Sequence, residues 1–344
     1  VYSIKPRVSQ LFHSHLLKPR INLTVYAEDT VFVRAMKPKV TSQSERLKFF
    51  NYSHYMTLSK SRIVFLVGIT AACGYFIGYR PEESWSWARF LGTVLGTSLV
   101  AAGSSALNQV QERALDGLMP RTKKRPLVTG ALSLAQALAF ISLVTAIGLA
   151  LLAWTEPKAL WLGILAIVSY NGFYTTLWKR KLPFAAIPGA LPGALPVWMG
   201  YVSANPDYLD PMGVFVFLVL FYWQMPHFWV LAFRYQEDYA LGNIPTLPVA
   251  RTRETTMRHI QLWLLGYIAL FVGAPTFLKL GIPYLVTALV TAVWLLFMWR
   301  RYVKHPEGSA WISFFLAINL SLLLIYVGMI TDLWSTPLIV YFTS

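Results

Sequence analysis

Asn108, Glu112 and Asp116 recur at intervals of four within "LNQVQERALDGLMPRTKKRPLVTG", residues 107–130. On an α-helix each interval of four drifts by only about 40° and rises roughly 6 Å, so all three side chains project from one side. Two carboxylates and an amide oxygen stacked in this way suit Mg²⁺, which completes its octahedron with water and phosphate oxygens. Arg121, Lys123, Lys124 and Arg125 follow closely and supply partners for an anion. Acids that hold a divalent cation, with bases beside them, predict a diphosphate site. In a soluble chain the same residues would read as a capped, solvated helix end, its acids offset by Arg113 and Arg121. Here the acids close a long apolar run, where ionisable groups are costly, and that favours function.

A second polar stretch, "FYWQMPHFWVLAFRYQEDYALGNIPTLP", carries Glu237 and Asp238, with Arg234 one helical turn before Asp238. The pair reads either as a charged helix terminus at the membrane interface or as a second acidic site beside the first. A third cluster, "YTTLWKRK", places Tyr174 ahead of Lys179, Arg180 and Lys181. It reads either as an anchor at the end of a span or as a clamp on the diphosphate. His227 lies deep within an apolar run, and Pro226 precedes it. Proline frees a carbonyl in the preceding turn and predicts a kink beside a cavity. His227 is therefore either a hydrogen-bonded core residue or an axial ligand to a haem.

The elements that must position these residues are membrane helices. Of the 344 residues 56% are hydrophobic and only 13% charged, too few charges to cover a soluble domain of this size. Apolar runs of about 20 residues, the length that spans a bilayer, recur along the chain. Nine spans are predicted near 62–79, 87–108, 132–153, 158–178, 184–203, 211–233, 257–279, 281–299 and 309–331. The expected fold is an all-α polytopic bundle, with a domain over 56–335 between a basic tail at 1–55 and a short tail at 336–344. A short amphipathic piece near 47–55 and a targeting function are further expectations for the first tail, although Glu28, Asp29 and Glu45 weigh against a targeting peptide.

The formal net charge of +15 would signal a nucleic-acid partner only if the bases shared a surface. Of 30 Lys and Arg, fifteen flank the connections after the even-numbered spans, four those after the odd-numbered ones, and eleven lie in the tail and first-span entry. That asymmetry is the positive-inside pattern, so no nucleic acid is expected and the N-terminus is placed on the cytoplasmic or matrix side, the C-terminus opposite. Both long acid-bearing loops fall on the N-terminal side. Cys73, the single cysteine, leaves no room for an internal disulfide or a cysteine-based zinc site.

These three stretches together closely resemble the haem O synthase (protohaem IX farnesyltransferase) family, a branch of the intramembrane aromatic-prenyltransferases, over about residues 50–335. The resemblance implies a helical bundle around a central cavity open to the cytoplasmic side. It implies farnesyl transfer from farnesyl diphosphate to the vinyl group of haem b, giving haem O and diphosphate, with water ending as a hydroxyl. By motif match Asn108, Glu112 and Asp116 take the first Mg²⁺-diphosphate motif, and Asp238 the last acidic position of the second. The leaving group falls to Arg121, Lys123, Lys124, Arg125, Lys179 and Arg180.

Two departures matter. Glu112 stands where the superfamily usually has Asp, and Arg234 where it has the first Asp of the second motif. An arginine cannot ligate Mg²⁺, so Arg234 is expected to meet diphosphate directly. Tyr170, Tyr174, Trp198, Tyr222 and Trp223 are candidates to face an allylic cation. A quinone-precursor or chlorophyll-like acceptor is the alternative within the enzymes, and a polytopic carrier the alternative outside them. The family's pathway further implies a bacterial cytoplasmic or mitochondrial inner membrane, and haem A synthase or a terminal oxidase as neighbours.

Overall fold

The computed structural model describes residues 51–80, 84–205, 207, 209–305 and 308–335, with backbone alone for 336–343. The targeting expectation and nearly all of the basic tail lie outside these residues. Of the predicted amphipathic piece, a short helix α1 (Tyr52–Leu58) follows Asn51, whose side chain caps it.

The first long helices are α2 (Ser61–Gly78) and α3 (Trp87–Gln111), followed by the short α4 (Arg113–Leu118) and α5 (Pro126–Thr129). Next come α6 (Leu134–Thr155), α7 (Pro157–Ile167) with a π-helical continuation over Val168–Trp178, α8 (Ala186–Ala204) and α9 (Pro211–Arg234). After the short α10 (Gln236–Leu241) and α11 (Leu247–Ala250), α12 (Arg253–Gly273), α13 (Ile282–Lys304) and α14 (Ser309–Thr343) complete the bundle. All nine predicted spans are helical. Eight are long and apolar enough to cross a membrane. The ninth, α8, contains Pro192 and Pro196 within its 19 residues, and its prolines and glycines lower its apolarity. The last helix continues past the expected end at 331 to Thr343.

The bundle closes where side chains are smallest. A Cβ on Gly74 of α2 would overlap the Val197 carbonyl of α8, and one on Gly200 of α8 would overlap the Ala71 carbonyl of α2. Two glycines so interlocked let the backbones touch, the packing that holds helices together in lipid. Large aromatics fill the opposite half, where Trp229, Tyr267, Tyr284, Phe314 and Tyr326 are fully buried. Two of their polar tips are satisfied on backbone oxygens: the Tyr326 hydroxyl donates to the Val216 carbonyl at 2.8 Å and that of Tyr284 to Phe271 at 2.7 Å, while the Tyr267 hydroxyl meets that of Ser321 and Trp229 Nε1 is left without a partner among the described residues. Without such partners a buried hydroxyl would be costly. Outside, Phe65, Leu95, Val293 and Phe297 are among the large apolar side chains left exposed, as a lipid-facing surface requires.

The π-helical stretch carries one polar knot. Asn171 takes the Ser104 hydroxyl at 2.5 Å and gives Nδ2 to the Ser104 carbonyl at 3.0 Å and to Gln111 Oε1 at 3.1 Å. Gln111 Nε2 returns a bond to the Asn171 carbonyl at 3.0 Å. The end of α3 is thereby fixed against this stretch. Non-α turns of this kind often mark functional segments.

Candidate active site

The helix carrying the first motif breaks once, at its middle residue. Glu112, with φ −102° and ψ 8°, separates α3 from α4. Hydrogen bonds still run across the break, from Glu112 N to the Asn108 carbonyl at 2.9 Å and from Asp116 N to the Glu112 carbonyl at 2.8 Å. The helical rise therefore survives, and Asn108, Glu112 and Asp116 line one cavity of about 540 Å³. All three are buried, with exposures of 1, 3 and 1%.

Each of the three has its own cation. Lys179 Nζ reaches both Glu112 oxygens, at 2.6 and 2.7 Å. Arg125 Nη1 donates to Asp116 Oδ2 at 2.5 Å. Lys60 Nζ donates to Asn108 Oδ1 at 3.2 Å, while Asn108 Nδ2 donates to the Thr175 hydroxyl at 3.1 Å. Lys60 sits at φ 54°, ψ 49°, a left-handed conformation that non-glycine residues rarely hold, and this turns it inward at the entry to α2. Burial, and then the neighbouring Arg125 and Lys179, lower its ammonium to about 7. An arriving diphosphate would favour the charged form again. Burial raises the Asp116 carboxyl, and Arg125 opposes the rise.

The three ligand candidates are thus not equivalent. Glu112 has both oxygens engaged by one lysine. Asp116 uses Oδ2 alone, and among the described residues no donor reaches its Oδ1. No three His, Cys, Asp or Glu side chains converge among the described residues. One open carboxylate oxygen with an amide oxygen beside it nevertheless fits Mg²⁺, a hard ion that keeps several water or phosphate ligands.

The remaining predicted residues divide. Arg121 lines the cavity and also reaches Asp238 Oδ2 at 3.7 Å. Asp238 lies outside the cavity lining and holds Arg121, while its neighbour Tyr239 faces the cavity. Lys123, Lys124, Arg180 and Arg234 are exposed and are not among the residues that line the cavity. Arg180 donates to the Gln111 carbonyl at 3.3 Å and braces the end of α3. Arg234 lies over the Trp311 ring, 5.9 Å from its centroid, held there by cation-π attraction.

Tyr174 does line the cavity, its ring stacked 5.7 Å from that of Tyr170 and resting on Gly189, where a Cβ would collide with it. Trp198, Tyr222 and Trp223 pack elsewhere: Trp198 on Phe217 and Tyr222 on Trp263, both at 5.1 Å, while Trp223 Nε1 donates to the Ile318 carbonyl.

His227 also falls outside the cavity. Its ring lies between Trp223 at 4.5 Å and Phe315 at 4.9 Å, on a helix that runs on through Pro226. Its Nδ1 is buried without a hydrogen-bond partner. In this structure the ring packs between the two aromatics. A His227→Ala variant should therefore leave the Soret band of bound haem unchanged while losing about 1–3 kcal/mol of stability; a shifted Soret band with unchanged melting would restore the ligand reading.

Comparison with known proteins decides between the readings of this cavity. Residues 67–323 match the UbiA prenyltransferase family. The chain belongs to the UbiA prenyltransferase family. Among UbiA relatives, the protoheme IX farnesyltransferase of Bdellovibrio bacteriovorus is 41% identical over 281 residues, 82% of this chain and 96% of that one. Protoheme IX farnesyltransferase 1 of Pseudomonas fluorescens is 34% identical, covering 81% and 92%. The UbiA fold is also seen in a solved digeranylgeranylglyceryl phosphate synthase, with TM-score 0.67 at 16% identity over 82% of this chain and 98% of that one. A UbiA homologue from Archaeoglobus fulgidus, solved with GPP and Mg²⁺, aligns with TM-score 0.59 at 15% identity, covering 80% and 99%.

A UbiA member with this cavity is an integral membrane prenyltransferase. Sequence reasoning left Lys60 outside the site because its partner, Asn108, lies 48 residues away. The one signal was a lysine held at the mouth of an otherwise apolar span.

Proposed function

We propose that this chain transfers a farnesyl group from farnesyl diphosphate to the vinyl group of haem b, giving haem O and diphosphate. One observation carries the chemistry: the cavity sets Lys60, Arg121, Arg125 and Lys179 beside Glu112 and Asp116, against apolar and aromatic walls. Relatives named for the same transfer, covered over more than nine-tenths of their length, favour haem as the acceptor.

Asp116, through Oδ1, and Asn108 would hold Mg²⁺ against the diphosphate. When bound, the ion supplies charge neutralisation at the leaving oxygens. Arg121, Arg125, Lys60 and Lys179 add fixed positive charge there, stabilising diphosphate more as it departs than before, which is what lowers the barrier. Glu112 orients Lys179. Tyr170 and Tyr174 present ring faces to the allylic cation, and the apolar walls keep bulk water from quenching it.

The charge of the basic loops supports a site and an N-terminus on the cytoplasmic or matrix side, with the C-terminus opposite. The membrane is that of a bacterial cell, with the mitochondrial inner membrane as the alternative, and a haem A synthase or terminal oxidase would take the product.

Purified protein in detergent, given haem b, farnesyl diphosphate and Mg²⁺, should form haem O by mass spectrometry, and excess chelator should stop it. Full activity in chelator would sink the metal role; prenylation of a quinone precursor in place of haem would sink the acceptor.

A further inference from the structure

The wall of the cavity formed by α8 and α9 is apolar except at one point. Gln224 lines it beside Ala190, Met225 and Phe228. Its Nε2 donates to the Ala190 carbonyl at 3.0 Å and to the Leu220 carbonyl at 3.2 Å. Both partners only accept, so the nitrogen is pinned between them and Oε1 is turned the other way. Among the described residues no donor reaches Oε1. It overhangs Gly193, where a Cβ would run into it. The amide oxygen is thus held open and fixed, and a carbonyl in such a place needs a donor.

The proposed reactants, on whose identity this step rests, offer it none. Farnesyl diphosphate is hydrocarbon and acceptor oxygens. Haem b near neutral pH is an apolar ring with carboxylate acceptors, its pyrrole nitrogens bound to iron. Water is the donor that remains, and the transfer consumes one water.

We infer that Gln224 positions that water. The allylic C–O bond breaks with its electron pair leaving on diphosphate. The terminal vinyl carbon gives its π pair to the farnesyl carbon, and the inner vinyl carbon is left electron-deficient. Water, donating one O–H to Gln224 Oε1, bonds to that carbon through an oxygen lone pair. Its surplus proton passes to the released diphosphate, and the hydroxyl of haem O is complete. Without a placed water the same cation discharges by losing a proton from the adjacent carbon, giving an alkene lighter than haem O by one water.

The test is the ratio of these two products, which does not depend on how much enzyme folds. In Gln224→Leu, the dehydrated product should rise relative to haem O by at least about tenfold, the worth of one hydrogen bond. The KM for farnesyl diphosphate should stay unchanged, because Gln224 carries no charge to meet the phosphates. A leucine variant that makes haem O alone overturns the assignment. If it makes no prenylated haem, Gln224→Met, which keeps the length of the side chain but loses the amide oxygen, must show the same shift toward the dehydrated product; failure of both variants also overturns it. A wild-type control without haem O would instead overturn the acceptor reading itself.

Discussion

Asp116→Ala is expected to reduce farnesyl transfer by about 10³-fold or more while the protein still folds. Asp116 carries the open carboxylate oxygen of the site, and its partner Arg125 is 18% exposed, so the freed guanidinium can turn toward water instead of standing stranded. The loss should fall on kcat. Farnesyl diphosphate should bind at least as well, because an anion meets one more uncompensated cation and one fewer acid. Asp116→Asn keeps Oδ1 without its charge and should lie between wild type and alanine, with partial recovery at raised Mg²⁺. Steady-state kinetics across a Mg²⁺ series separates these outcomes. Activity within tenfold of wild type in the alanine variant would remove Asp116 from the metal set.

This asymmetry between Asp116 and Glu112 was not legible in the spacing. Intervals of four place both acids on one face and so bring both to the cavity, as found. The partner each acid receives depends on where two other segments arrive. Lys179 closes the π-helical stretch, 67 residues from Glu112, and no periodicity announces the wider turn that delivers it. Lys60 needs a left-handed backbone that its sequence does not advertise.

Charge was a good guide to which loops matter and a poor one to which bases enter. Of the run Arg121–Arg125, the two arginines line the cavity and the two lysines point outward. Spans were easier to read. Apolar length alone placed nine helices in order, eight of them long and apolar enough to cross a membrane among the described residues, since backbone groups in lipid must bond within the helix. Gln224 stayed hidden for the opposite reason: a carboxamide in an apolar run carries no signal until its nitrogen is seen pinned and its oxygen open.

Lys179→Met separates structure from catalysis most sharply. The substitution removes the ammonium that holds both oxygens of Glu112, leaving a carboxylate only 3% exposed with no counter-charge. Breaking a buried pair from one side costs about 3–5 kcal/mol, so the single variant should be poorly folded and inactive for two reasons at once. Glu112→Gln added to Lys179→Met removes the stranded charge, and the double variant should regain most of the lost stability, because the two sites couple directly. Turnover should not return with it. The two uncharged replacements would pack as the ion pair did, while the cation that meets the leaving diphosphate is still missing. Thermal melts and single-turnover rates on the same preparations read the two quantities independently. A double variant as active as wild type would make the pair a brace between α3 and the π-helical stretch and nothing more; one that is stable and at least about a hundredfold slower assigns the lysine to the leaving group.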